Sequence, residues 1–126
     1  MRTKKILVID DEENYCRLIK NHLERTGKFK VWTATRGEEG IKMARTQKPD
    51  LILLDIIMPG MGGATVAETL SEDPETLSIP VIFVTAIVKK HELEKSDGVI
   101  GGRHFIAKPV VVEELLNRIQ SILSID

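Results

Sequence analysis

PDLILLDIIMPGMGG, running from Pro49 to Gly63, sets four apolar residues, Leu51 to Leu54, directly before a carboxylate, Asp55, and a glycine-rich stretch. Residues apolar at every step, not at alternate ones, suit a strand covered on both faces. Ile6 to Ile9 and Val81 to Val84 repeat the pattern, ending at Asp10-Asp11 and at Thr85. Lys30 to Ala34 mixes Lys, Val, Trp and Thr and reads as a less buried edge strand. His104 to Ala107, just before Lys108, reads as a fifth short strand and the other edge. In open α/β sheets, ligands bind in the crevice outside the carboxyl ends of the strands. The pattern therefore gathers Asp10, Asp11, Asp55, Thr85 and Lys108 at one place.

Helix patterns lie between the strands. Tyr15, Leu18, Ile19, His22 and Leu23 recur at helical spacing after an acidic first turn. Glu38 to Thr46 is a second helix with Ile41 and Ala44 inward, stopped by Lys48-Pro49-Asp50. Ala64, Ala67 and Leu70, with Val66 alongside, make a third, closed by Asp73-Pro74. A fourth falls within Val88 to Ser96, with little apolar face. The last carries Val112, Leu115, Leu116, Ile119, Ile122 and Leu123 and is the most clearly amphipathic. The alternation predicts an α/β fold: a five-stranded parallel sheet with right-handed crossovers and helices on both faces.

Size and composition narrow the function. A chain of 126 residues is expected to form one domain. A formal net charge of −1 argues against general affinity for nucleic acid or membranes. No apolar stretch approaches the roughly 20 residues of a membrane-spanning helix, and the start lacks a secretory pattern. The single cysteine, Cys16, cannot form an internal disulfide, which fits a cytoplasmic protein. His22, His91 and His104 are scattered over different elements, so no zinc site is expected. Trp32 reads as edge-strand packing, Cys16 as an inert helix thiol and Lys89-Lys90 as a solvated helix start.

Three carboxylates at adjacent strand ends repel strongly, at roughly 4 kcal/mol for a pair about 4 Å apart at an effective dielectric of 20. A hard divalent cation relieves this, and Mg²⁺ binds through one or two carboxylates, waters and phosphate oxygens. Asp55 can then act as a nucleophile toward a phosphoryl group. Lys108 offers a point charge to a phosphate oxygen, and Thr85 a hydrogen bond to another.

The segments ILVIDDE (Ile6 to Glu12), PDLILLDIIMPGMGG, PVIFVTA (Pro80 to Ala86) and FIAKP (Phe105 to Pro109) cover nearly the whole chain. Together they resemble the receiver domain of bacterial two-component response regulators. The resemblance implies a flavodoxin-like, doubly wound (βα)5 sheet in strand order 2-1-3-4-5, with a core over about residues 4–124. It implies that Asp55 is the phosphoacceptor, served by a sensor histidine kinase or a histidine phosphotransfer protein. Asp11 and Asp55 would bind Mg²⁺ directly, Asp10 largely through water, and the Ile57 carbonyl would complete the set. Thr85 and Phe105 resemble a switch pair in which hydroxyl and ring move on phosphorylation. Lys108-Pro109 resembles a cis peptide that aims the ammonium inward.

Two departures carry expectations. Ile57 and Ile87, two residues past Asp55 and Thr85, cannot orient an attacking water, so the aspartyl phosphate should be long-lived. DGVIGGR, Asp97 to Arg103, contains Gly98, Gly101 and Gly102 and reads either as a mobile segment ordered by phosphorylation or as a simple loop. Gly60, Gly62 and Gly63 are expected to let the loop turn tightly beside Asp55. The chain reads as a stand-alone, non-enzymatic receiver without an output domain, a monomer or weak homodimer signalling to a downstream protein. The alternative is a receiver-like interaction scaffold that is never phosphorylated. A haloacid-dehalogenase-type phosphatase would need D-x-D after the first strand, and a flavin carrier a hydroxyl-rich loop there; both are absent.

Overall fold

A computed structural model describes residues 2–86, the backbone of 99–100, and residues 103–125. The strands are β1 (Lys4–Ile9), β2 (Phe29–Ala34), β3 (Leu51–Asp55), β4 (Val81–Thr85), β5 (Val99–Ile100) and β6 (Arg103–Ala107). The described helices are α1 (Glu13–Glu24), α2 (Gly37–Gln47), α3 (Gly63–Ser71) and α4 (Val112–Leu123). The fourth helix expected within Val88 to Ser96 lies outside the described residues. So do Ile87, Lys89-Lys90, His91, Gly98, Gly101 and Gly102.

Strand order is β2-β1-β3-β4-β6-β5. The five longer strands run parallel in the expected 2-1-3-4-5 arrangement. One detail differs. Val99 and Ile100 pair antiparallel with His104 and Arg103, so the strand expected at the edge is flanked by a two-residue strand. Two valine-isoleucine residues among glycines carry too short an apolar signal to register in a sequence pattern.

The continuous apolar runs fill two cores because successive side chains point to opposite faces. Ile6, Val8, Leu51, Leu53, Ile82 and Val84 meet Cys16, Ile19 and Leu23 of α1 and Leu115 and Ile119 of α4. Leu7, Ile9, Ile52, Leu54 and Phe83 meet Ile41 and Ala44 of α2 and Val66, Ala67 and Leu70 of α3. Two helix faces differ from expectation. Leu18 is 52% exposed while Cys16 is buried. Ala64 is exposed while Gly63 is buried. The rest of each expected stripe holds, with Ile19 and Leu23 buried in α1 and Val66, Ala67 and Leu70 buried in α3. Among the described residues no helix is long and apolar enough to cross a membrane.

Local pins hold the strand ends in register. The Lys5 backbone N–H donates to Asp50 Oδ2 at 2.8 Å, and the Asp50 N–H donates back to the Lys5 carbonyl at 2.8 Å. Lys48 ends α2 in the left-handed region at φ 48°, its N–H donating to the Ala44 carbonyl. The loop after β3 depends on two of its three glycines. Gly60 has φ 74°, which strains any residue with a Cβ. Gly63 lies against the chain at the phosphoacceptor candidate, where a Cβ would overlap the Asp55 carbonyl oxygen and the Ile56 Cα. Gly62 has room for a Cβ at ordinary contact distance. Gly63→Ala is therefore expected to cost about 2 kcal/mol or more, and Gly62→Ala within roughly 0.5 kcal/mol of wild type, in urea denaturation.

Candidate functional site

Strand register builds the site. Ile9 stands opposite Leu54, so Asp10 and Asp55 leave the sheet side by side. Thr85 stands opposite Ala107, so Lys108 follows beside it, its N–H donating to the Thr85 carbonyl at 2.9 Å. Asp10, Asp55 and Thr85 are buried, while Asp11 is exposed at the rim. One carboxylate oxygen from each of Asp10, Asp11 and Asp55 lies within 4.8 Å of the others. These hard oxygen donors form a group that could hold a metal ion.

The Lys108 ammonium sits among the carboxylates. Its Nζ lies 2.9 Å from Asp10 Oδ2, 3.4 Å from Glu12 Oε1 and 3.7 Å from Asp55 Oδ2. The second Asp10 oxygen accepts the Glu12 N–H at 3.0 Å, and Asp55 Oδ1 accepts the Ile57 N–H at 3.4 Å. The Lys108-Pro109 peptide is cis. Ile57 itself is 60% exposed at the mouth of the site. Phe105 is half-buried, and its ring stacks on Phe83 with centroids 5.2 Å apart.

All five residues marked by the strand ends thus meet at the sheet's carboxyl edge. Residues 6–120 match the family described as the response regulator receiver domain. The chain belongs to that family. It is a receiver of two-component phosphorelay signalling, a class that interacts with histidine kinases or phosphotransfer proteins. The transcriptional regulatory protein PhoP of Bacillus subtilis, named for alkaline phosphatase synthesis, is 40% identical over 121 residues. That alignment covers 95% of the receiver and 48% of PhoP, so the chain spans about half the length of this relative. Protein PilH of Pseudomonas aeruginosa is 39% identical over 121 residues, covering 95% of the receiver and 98% of PilH. A solved CheY-like receiver from Methanospirillum hungatei has a TM-score of 0.81 at 27% identity, covering 98% of this chain and 95% of that one.

Two residues of the receiver's site were not assigned to it from the sequence. Glu12 contacts Lys108, and its position directly after Asp10-Asp11 was the available signal. Tyr15 places its ring 4.5 Å from the same ammonium. Its helical spacing marked it only as an inward residue. Trp32 packs on the α2–α3 side at the β2 edge, and His22 is half-buried, both in line with expectation. The Cys16 thiol donates to the Asp10 carbonyl at 3.2 Å, and burial, with Asp10 adding, pushes it up to about 12, so it stays protonated.

The electrostatics are unbalanced toward negative charge. Burial, reinforced by Asp10, pushes the Asp55 carboxyl up to about 6, against the pull of Lys108 and the Ile57 N–H. Burial alone would lower Lys108, but its hydrogen bond and charge pairing with Asp10, and then Asp55, carry it to about 12. A carboxyl raised in the fold contributes stability that is full below its ordinary value of 3.8 and lost as pH rises through about 6. In EDTA, Asp55→Asn is therefore expected to be more stable than wild type by about 1–2 kcal/mol at pH 7.5. The difference should shrink toward zero as thermal melts are repeated down to pH 4.

Proposed function

We propose that Asp55 accepts a phosphoryl group from a phosphohistidine, or from a small acyl phosphate, and that the resulting charge alters the surface the receiver presents. The observation that carries this reading is one buried carboxylate, Asp55, grouped with Asp10 and Asp11 and 3.7 Å from the Lys108 ammonium. An Asp55 oxygen attacks phosphorus in line, the bond from phosphorus to the donor's nitrogen or oxygen breaks, and the leaving group keeps that electron pair. Lys108 balances charge on the phosphoryl oxygens, and the Thr85 hydroxyl donates to one of them. Asp11 and Asp55 directly, Asp10 through water and the Ile57 carbonyl would hold Mg²⁺, which when bound offsets the repulsion between these carboxylates and the incoming group. Catalysis by the chain is confined to its own phosphorylation and dephosphorylation.

Thr85 and Phe105 serve as the switch. Phe105 stands one strand from Phe83 in register and two residues before Ala107, the partner of Thr85. A hydroxyl drawn toward a phosphoryl group vacates space on the face where that ring packs. The receiver works as one unit over about residues 4–124 in the cytoplasm, as a monomer or weak homodimer, and passes its signal to a downstream protein by surface change or onward transfer. Ile57, an exposed hydrocarbon at the mouth, offers no group to orient an attacking water, so the aspartyl phosphate decays slowly.

Intact-mass analysis after incubation with acetyl phosphate tests the reading. One added phosphoryl group is expected with Mg²⁺, and none in EDTA or in Asp55→Asn. Lys108→Ala is expected to slow uptake by roughly tenfold or more, for loss of a charge worth a hydrogen bond to an ionised group. Absence of any adduct would favour an unphosphorylated interaction scaffold. After removal of donor, the adduct is expected to persist for minutes or longer and to decay faster in Ile57→Asn; a half-life of seconds in wild type would overturn the shielding argument.

A further inference from the structure

Tyr15 lies in the first turn of α1, four residues after Asp11, and is partly buried against the sheet's core. Its ring packs against the core shared by α1 and α4 and lines a small crevice with Val8, Asp10, Leu53, Asp55 and Val84. The Lys108 Nζ lies 4.5 Å from the ring centroid, well inside cation–π range. The phenol oxygen is buried and has no hydrogen-bond partner among the described residues. Burial, with Asp10 and Asp55 adding to it against Lys108, pushes the phenol up to about 12, so it stays neutral. A leucine or methionine would fill this space without the desolvation cost of an unpaired hydroxyl, but neither would offer a ring face to an ammonium.

Lysine needs such a partner here. Its charge rides on a flexible four-carbon stem, so position must be imposed from outside. Asp10, Glu12 and Asp55 all attract it, but each changes under the proposed reaction or is weak to begin with. Asp10 and Asp55 become partners of a cation, Asp55 is also the group modified, and Glu12 is exposed and screened by solvent. Of these four neighbours, the Tyr15 face is the one whose attraction survives every change of carboxylate partner.

We propose that Tyr15 is a positioning residue whose ring holds the Lys108 ammonium over Asp10 and Asp55 and thereby sets the rate at which Asp55 takes up a phosphoryl group. The rate half of this inference rests on the phosphoacceptor reading above; the contact half does not.

Two measurements on the full chain separate them. By NMR, the Lys108 Hε protons of wild type are expected upfield of an ordinary lysine through the ring current. Tyr15→Leu should abolish that shift, and Tyr15→Phe should keep it. With acetyl phosphate at saturating Mg²⁺, uptake by Tyr15→Leu is expected to fall about fivefold to tenfold. Tyr15→Phe should bring it back to within about twofold of wild type, while Mg²⁺ affinity stays within about twofold in both variants. An unshifted Lys108 in wild type, a Tyr15→Leu that reacts at the wild-type rate, or a Tyr15→Phe as slow as Tyr15→Leu would each overturn the proposal. Tyr15→Met replaces Tyr15→Leu if the latter does not fold, and the wild-type Lys108 shift needs no variant. Failure of wild type to take up any phosphoryl group would overturn the rate half together with the phosphoacceptor reading, and the Lys108 shift would then decide the contact alone.

Discussion

Two buried carboxylates, Asp10 and Asp55, leave adjacent strands at the same level of the sheet, and the rest of the site answers to that fact. Parallel register forces them together, since Ile9 and Leu54 are paired one residue earlier. Their mutual repulsion is only partly offset by one ammonium, which favours Asp10 at 2.9 Å over Asp55 at 3.7 Å. Asp55 is thus left the less compensated of the two, and its pKa is raised first by burial and then by Asp10, with Lys108 offsetting only part of that rise. Added positive charge would relieve the repulsion at such a site.

The scaffold offsets this cost with two apolar cores, one on each face of the sheet. Helices α1 and α4 cover one face of the sheet and α2 and α3 the other, so every central strand is buried through both sides of its pleat. The strand ends are held from below by apolar packing, and the polar residues are carried on the last position or just past it. Gly63 shows how close the elements come: the start of α3 rests on the Asp55 carbonyl with no space for a methyl group. The loop that frames the site is therefore positioned by backbone contact.

The family match and the cluster of charges fall on the same part of the chain. Residues 6–120 match as a unit, and the same span contains every carboxylate, hydroxyl and ammonium of the site. The nearly full-length correspondence with PilH, and the half-length correspondence with PhoP, set this fold both in a protein of similar length and within a longer chain. In this receiver Ile57 stands exposed at the mouth and the Tyr15 ring lies 4.5 Å from the ammonium.

Much of this was legible in the amino-acid order. Leu51 to Leu54 and its counterparts declare buried strands because unbroken apolar runs have no other low-energy place, and the polar residues at their ends inherit a common edge. Local patterns are less able to say which side of a helix turns inward. The helical spacing turns Leu18 toward the core, yet it stands exposed, while Cys16, two residues earlier, is buried. The pairing of Lys108 with Asp10 spans 98 positions, and the Tyr15 ring meets that ammonium only because α1 and the end of β6 converge. Hydrophobic periodicity is a short-range signal, so by itself the sequence determined the strands, their ends and the chemistry gathered there. Partner choice among charges and rings depends on distances set by the packing of distant segments, and only the tertiary structure decided it.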